Sequence, residues 1–339
     1  MNIDVHCHLV PEDCKDLHAN GPDGREYGVR FALDANGKEV AFADGRPNAA
    51  CQAEDLWSVE RRLRDMDAAG VDVQAVSAPP FLFLYPLEAA QAAAMHRRLN
   101  ESFAAVVRAH PDRFIALAAV PLQDTDRAIA ELDHAVNRLG MRGVEICSNV
   151  NGENLDSLRL FPFFERVEQL GVPIFIHPSN VAAGDRLREY YLSNLLGNPT
   201  DTTIAAASLV FGGVLKRLPA LNVYLAHGGG ATPYICGRWQ HGWEVRPEPK
   251  RLLDRAPMEY VRRFYFDTIT HSSESLAFLV KTFGSDRVMV GTDYPFDMGD
   301  SRPLDTVRVL GLDDEQNKSL QGGNAVRLFK LDLSRQSRE

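Results

Sequence analysis

Five side chains that titrate or bind metals fall at the ends of apolar runs. His6 and His8 close Ile3–His8, His177 closes Pro173–His177, His227 closes Asn222–His227, and Asp293 follows Arg287–Thr292. Two histidines separated by one residue on a strand project to the same side, with Cys7 on the other. That pair taken alone is also compatible with core or capping histidines hydrogen-bonded to their neighbours. Imidazole nitrogens and a carboxylate oxygen are suitable ligands for Zn²⁺ or a similar divalent ion. An incomplete shell leaves a place for water, whose pKa the ion lowers toward about 7. The same five groups gathered in an apolar interior without a cation would carry a high desolvation cost.

The elements that must position them are short, β-branched runs separated by helical periodicity. Besides those above, the strands are expected at Val71–Ser77, Phe114–Val120, Arg142–Ser148 and Phe264–Thr268. Helical patterns lie between them, among others at Leu56–Ala69, Leu87–His110, Asp126–Leu139 and Leu160–Leu170, several ended by glycine where a C-cap needs positive φ. Strand then helix, repeated eight times, predicts a (β/α)₈ TIM-type barrel spanning residues 1–339 as a single domain. A doubly wound sheet would place a glycine-rich phosphate turn after the first strand, where this chain has His6-Cys7-His8-Leu9-Val10-Pro11. In a barrel the catalytic groups sit at the C-terminal strand ends, and all five side chains fall there. Residues 12–55 are read as an insertion over the barrel mouth, with Val29–Leu33 and Glu39–Phe42 pairing as a small hairpin. Residues 332–339 are read as a short fraying tail.

Of 339 residues, 24% are charged and 45% hydrophobic, with a net charge of −9 and no long run of like charge. That profile excludes a disordered or fibrous chain and makes nucleic acid or an anionic membrane an unlikely partner. The N-terminus lacks the basic and apolar regions of a signal peptide, so a cytoplasmic location is expected. Five scattered cysteines without a CxxC pair argue against disulfides and against a thiolate zinc site, and are expected reduced and mostly buried. A closed structural zinc site would be built chiefly from cysteines, and the spare histidine here speaks against one. His18, His96, His110, His134 and His241 are read as surface or capping residues, and His271 as a candidate for the mouth.

His6-x-His8, Ile176-His177-Pro178, Ala226-His227-Gly228-Gly229-Gly230 and Gly291-Thr292-Asp293-Tyr294-Pro295-Phe296 together resemble the amidohydrolase superfamily. More narrowly they resemble its decarboxylase branch, typified by 2-amino-3-carboxymuconate 6-semialdehyde decarboxylase. Arg64-Asp65-Met66-Asp67-x-x-Gly70-Val71 and Val120-Pro121-Leu122-Gln123 extend the likeness over nearly the whole chain. The resemblance implies a cofactor-free, non-oxidative decarboxylase of a small muconate-type or aromatic carboxylic acid. It implies one Zn²⁺ held by His6, His8, His177 and Asp293, with metal-bound water and His227 serving as acid and base. It also implies that Arg46 and Arg238 clamp substrate carboxylates, the latter reaching into the partner's site of a homodimer; arginine's planar fork suits that task. The Gly228–Gly230 run fits a backbone that approaches substrate, or a plain turn.

This chain departs from that branch at Ser179-Asn180 after the strand-five His-Pro, at Glu145–Asn149, and at Asp297-Met298, so its pocket differs. The alternative is a metal-dependent hydrolase or hydratase of the same superfamily acting on a lactone, amide or unsaturated acid. Glu145 facing the metal would favour that reading, whereas a position outside the site or against Arg142 is the commoner expectation. Phe81, Phe83, Tyr85, Phe296 and Trp239 are candidates for an aromatic wall, with Phe296 as a substrate-binding residue.

Overall fold

A computed structural model describes residues 1–34 and 36–332, so all of the expected tail but Asp332 lies outside the described residues. The eight barrel strands are β1 (Ile3–His8), β2 (Val73–Ser77), β3 (Phe114–Ala118), β4 (Gly143–Cys147), β5 (Ile174–His177), β6 (Val223–Leu225), β7 (Tyr265–Asp267) and β8 (Val288–Met289). They pair in parallel in sequence order as one sheet. Closure between β8 and β1 runs through single bonds: Val5 N–H donates to the Val290 carbonyl at 2.9 Å, and Cys7 bridges Tyr294 in parallel. The result is a (β/α)₈ barrel.

The eighth strand is shorter than its apolar run predicts because the chain beyond Met289 bonds to β1 irregularly. Thr292 N–H and Asp293 N–H both reach the His6 carbonyl, at 3.2 and 2.8 Å. Elsewhere the expected punctuation operates. The helix Val59–Ala69 is capped by Ser58, whose hydroxyl accepts from Arg61 N–H, and ends at Gly70 with φ 71°. Phe161–Leu170 ends at Gly171 with φ 65°; a Cβ in this left-handed region carries a steric penalty that glycine avoids.

Residues 18–47 form a separate four-stranded antiparallel sheet after β1. Its centre pairs Glu26–Leu33 with Glu39–Ala43, the hairpin read from the alternating pattern. No described helix is long and apolar enough to cross a membrane. All five cysteines are free thiols, four of them buried.

Beneath the histidines of β1 lies a buried polar chain. Arg62, fully buried, donates to Gln74 Oε1 at 3.0 Å and to the His8 carbonyl, and its guanidinium lies 4.5 Å from the centre of the Tyr294 ring. Gln74 in turn donates to Asp4 Oδ2 at 2.9 Å, and Asp4 accepts from His6 N–H at 3.0 Å and from the Thr292 hydroxyl at 2.6 Å. Burial raises the Asp4 carboxyl to about 6 against these hydrogen bonds. The chain therefore ties β1 to the segment carrying Asp293 through one cation. Arg62→Met leaves the His8 carbonyl and Gln74 Oε1 without these donors, so urea unfolding should show a loss of about 3 kcal/mol. A loss below about 1 kcal/mol would mean the chain contributes little to stability.

Candidate metal centre and active site

Strand alternation delivers His6 and His8 to one side of β1, as expected, while Cys7 turns away and its thiol meets the Ala75 carbonyl at 3.5 Å. His177 arrives from the end of β5, and Asp293 from the segment after β8. One ligand atom from each of His6, His8, His177 and Asp293 lies within 4.8 Å of all the others, and all four residues are buried.

The hydrogen bonds at the far sides of the rings decide what these atoms can do. His6 Nδ1 faces Asp267 Oδ2 at 2.6 Å, His8 Nδ1 faces the Ala78 carbonyl at 3.0 Å, and His177 Nδ1 faces the Pro178 carbonyl at 3.0 Å. Each partner accepts only, so the neutral imidazole carries its N–H at Nδ1 and turns a bare lone pair at Nε2 toward the centre. There, His6 Nε2 and His8 Nε2 stand 3.3 Å apart and 3.3 and 3.2 Å from Asp293 Oδ1. His177 Nε2 and Asp293 Oδ1 are buried without a hydrogen-bond partner. Lone pairs and a carboxylate oxygen converging in an apolar barrel repel one another, and a cation relieves that repulsion. The donor set of three imidazoles and one carboxylate fits a divalent metal.

A proton is the other cation available. Burial works against a charged His6, but the Asp293 carboxylate and the hydrogen bond to Asp267 outweigh it and raise His6 to about 10. Asp293 is pushed up by burial, yet the His6 charge and hydrogen bonds from His227 and His6 hold it well below the usual carboxylate range. His8 and His177 are both lowered, chiefly by burial. Because the free site keeps one proton on His6 that a metal must displace, the association constant should rise about tenfold per pH unit from about pH 6 to 9. Calorimetry in buffers of different ionisation enthalpy checks this; zero proton release would show His6 neutral in the free site.

His227 stands against this group rather than in it. Its Nε2 lies 3.5 Å from Asp293 Oδ2, its ring centre is 5.2 Å from that of His6, and its side chain is 16% exposed. It opens onto a cavity of about 620 Å³ lined by Pro199, Ile269, Phe278, Leu279 and Met298, with His271 and Glu274 among its polar residues. His271 thus does line the mouth. The neighbouring glycines approach the protein's own chain: a Cβ would lie 2.7 Å from the Thr270 methyl at Gly228, 2.6 Å from the Phe266 ring at Gly229 and 2.0 Å from the Pro199 carbonyl at Gly230. Gly228 and Gly230 also line the cavity, and all three take positive φ.

The structure corrects some of the remaining expectations and locates the other residues singled out above. Glu145 does not pair with Arg142: it is 1% exposed, its Oε1 lies 3.9 Å from His8 Nδ1, and it is not one of the four converging ligands. The strand period that faces Phe175 inward in β5 does the same for its register partner Glu145 in β4. Neither Glu145 oxygen has a hydrogen-bond partner, and burial pushes its carboxyl well above the usual range. Trp239 packs its ring on Phe211 at 5.7 Å and lines neither cavity described here, whereas the Phe296 ring centre lies 5.3 Å from that of His8. Phe81, Phe83 and Tyr85 line a second cavity of about 270 Å³ with Cys147 and Ser179. Arg46 and Arg238 are both exposed on this single chain, and neither lines the cavity at His227. His96, read as a surface or capping residue, is fully buried and bonds the Leu82 carbonyl at the end of the short helix Pro80–Leu82 at 3.0 Å. Asp267, which sequence reasoning did not single out, proves to hold His6. Its position at the end of the seventh strand, in line with the other strand-end ligands, was the available signal.

Comparison with known proteins identifies the family and the fold. A family profile described as amidohydrolase matches residues 3–331. The chain is 37% identical to 2-amino-3-carboxymuconate-6-semialdehyde decarboxylase of Dictyostelium discoideum, over 98% of this chain and 92% of that protein. It superimposes on 5-carboxyvanillate decarboxylase from Sphingomonas paucimobilis with a TM-score of 0.84 and 25% identity, covering 98% of this chain and 99% of that one. A dihydroxybenzoic acid decarboxylase from Polaromonas sp. JS666, solved with bound manganese and 2-nitroresorcinol, shares the fold with a TM-score of 0.82 and 24% identity over 100% and 99% of the two chains.

Proposed function

This chain belongs to the amidohydrolase family, and from that premise we propose that it is a metal-dependent, non-oxidative decarboxylase of a small aromatic or muconate-type carboxylic acid. The observation that carries this reading is the convergence of three imidazole nitrogens and an Asp293 oxygen in one buried group, with a fourth histidine beside them facing a cavity. The decarboxylase relatives give the reaction class its support.

A divalent cation held by His6, His8, His177 and Asp293 supplies positive charge next to the negative charge that develops as the carbon–carbon bond breaks. Zn²⁺ suits this nitrogen-rich set; manganese, bound in the Polaromonas structure, is the competitor. The bond cleaves heterolytically: CO₂ departs and the electron pair stays on the substrate carbon, which must then gain a proton. We assign its delivery to His227. Its Nε2 lies 3.5 Å from Asp293 Oδ2, beside the four converging atoms, whereas Nδ1 is buried without a partner, so Nε2 is the nitrogen that exchanges the proton. The Phe296 ring beside His8 offers a flat wall for an unsaturated acid.

Arg238 projects from the helix Thr232–Val245, which also brings Pro233 and the exposed Tyr234 to the cavity rim. We read it as reaching a second copy's site in a homodimer, and Arg46, exposed on the strand Arg46–Pro47, as a residue that meets the substrate's far carboxylate. A monomer by sedimentation at assay concentration would remove the first assignment.

The experiment is a panel of hydroxybenzoates, carboxyvanillate and muconate semialdehydes, monitored for CO₂ release and for loss of ultraviolet conjugation. Chelator-stripped protein reloaded with Zn²⁺ or Mn²⁺ serves as control. Metal-dependent CO₂ release supports the proposal; ring opening or hydration without CO₂ from the same compounds overturns it in favour of the hydrolase or hydratase.

A further inference from the structure

Asp267, at the end of β7, is fully buried and each of its oxygens accepts two hydrogen bonds. Oδ2 receives His6 Nδ1–H at 2.6 Å and His227 N–H at 2.9 Å; Oδ1 receives Gly228 N–H at 2.7 Å and Ile269 N–H at 3.0 Å. Four donors fill the acceptor capacity of one carboxylate. Two of them belong to consecutive residues with left-handed backbone, His227 at φ 55° and Gly228 at φ 60°. That turn aims adjacent N–H groups at a single anion, and it sets the direction in which the His227 imidazole leaves the chain.

We propose that Asp267 is a positioning residue that couples metal binding at His6 to the placement of His227. This inference rests on the metal-site reading above. A metal at His6 Nε2, in place of the proton of the free site, would tie the ring to three other ligands and so fix the position from which Nδ1–H meets Oδ2. The same oxygen holds the His227 amide, so fixing the carboxylate from one side fixes the turn on the other. A free carboxylate that loses the His6 contact is free to rotate, and the left-handed turn at His227 loses the anion that compensates its strain. Metal loading therefore orders the acid–base histidine before substrate enters.

The test uses the full-length protein and Zn²⁺ alone as probe. Asp267→Asn replaces one acceptor by an amide N–H₂, which opposes two of the four donors whichever way it is turned. Competition with a chromophoric chelator should show Zn²⁺ bound about 10–100-fold more weakly. At saturating Zn²⁺, kcat should stay at least about tenfold below wild type with KM little changed, a split that a general loss of stability does not produce. Amide exchange in the wild-type protein gives the second measurement and survives a failure of the variant to fold. The His227 and Gly228 amides should exchange at least about tenfold more slowly with Zn²⁺ than without, while amides of the 18–47 sheet stay unchanged. Unchanged exchange at both amides, or an Asp267→Asn protein with wild-type Zn²⁺ affinity and kcat, overturns the coupling. Wild-type protein that takes up no Zn²⁺ and no Mn²⁺ overturns the metal reading itself, a different result.

Discussion

His227→Ala should lower turnover by about 10²–10⁴-fold, the usual contribution of a positioned acid or base, with one metal ion still bound per chain. The separation of the two effects follows from geometry. His227 supplies none of the four converging atoms, and its contact with the metal group is a 3.5 Å approach to Asp293 Oδ2, whereas His6 and His8 meet Oδ1. Metal content by elemental analysis and CO₂ release by the same preparation check it together. His227→Asn is a useful companion, because asparagine tolerates the left-handed backbone at this position and removes the proton carrier alone. Full activity in both variants would remove His227 from the mechanism. Loss of metal in both would place it among the ligands.

His177→Ala should show the opposite pattern, losing metal and turnover together. His177 Nε2 is one of the converging atoms and has no protein partner, so its removal deletes a ligand without breaking a hydrogen bond at that nitrogen. The fall in affinity should exceed the about 10–100-fold that follows loss of a residue merely supporting a ligand. A stability readout is independent of catalysis: Zn²⁺ at a hundred times its dissociation constant should stabilise wild type by about 2.7 kcal/mol, and the same concentration should stabilise His177→Ala negligibly. Equal stabilisation of both proteins would mean that the ion sits elsewhere.

The parts of this molecule legible in the sequence are those where one periodicity carries the information. Barrel strands buried on both sides read as apolar runs, and His6 and His8 face one way because a strand repeats every two residues. His177, His227 and Asp293 were recognisable because each closes such a run. Asp267 also closes one, but an acidic residue at a strand end looks the same whether it meets solvent or a histidine 261 positions away. Glu145 misled for a related reason. Three residues before it stands an arginine that offers a surface partner, and local charge pairing is cheaper than burial; the structure nevertheless turns Glu145 toward Phe175 and His8. Arg62 is hidden in a helix whose pattern reads as amphipathic, and its burial depends on Gln74 and Asp4 from two other strands. Arg46 and Arg238 are exposed on this chain, and no periodicity encodes what they meet.

The antiparallel sheet of residues 18–47 contributes no atom to the four-ligand group, which draws only on β1, β5 and the segment after β8. Among the described residues the sheet meets a hollow only through Arg25, Tyr27 and Asp44, beside Phe81 and Tyr85, and it is absent from the lining of the cavity at His227. Trimming or exchanging its loops would therefore leave both the four ligands and that cavity's walls in place.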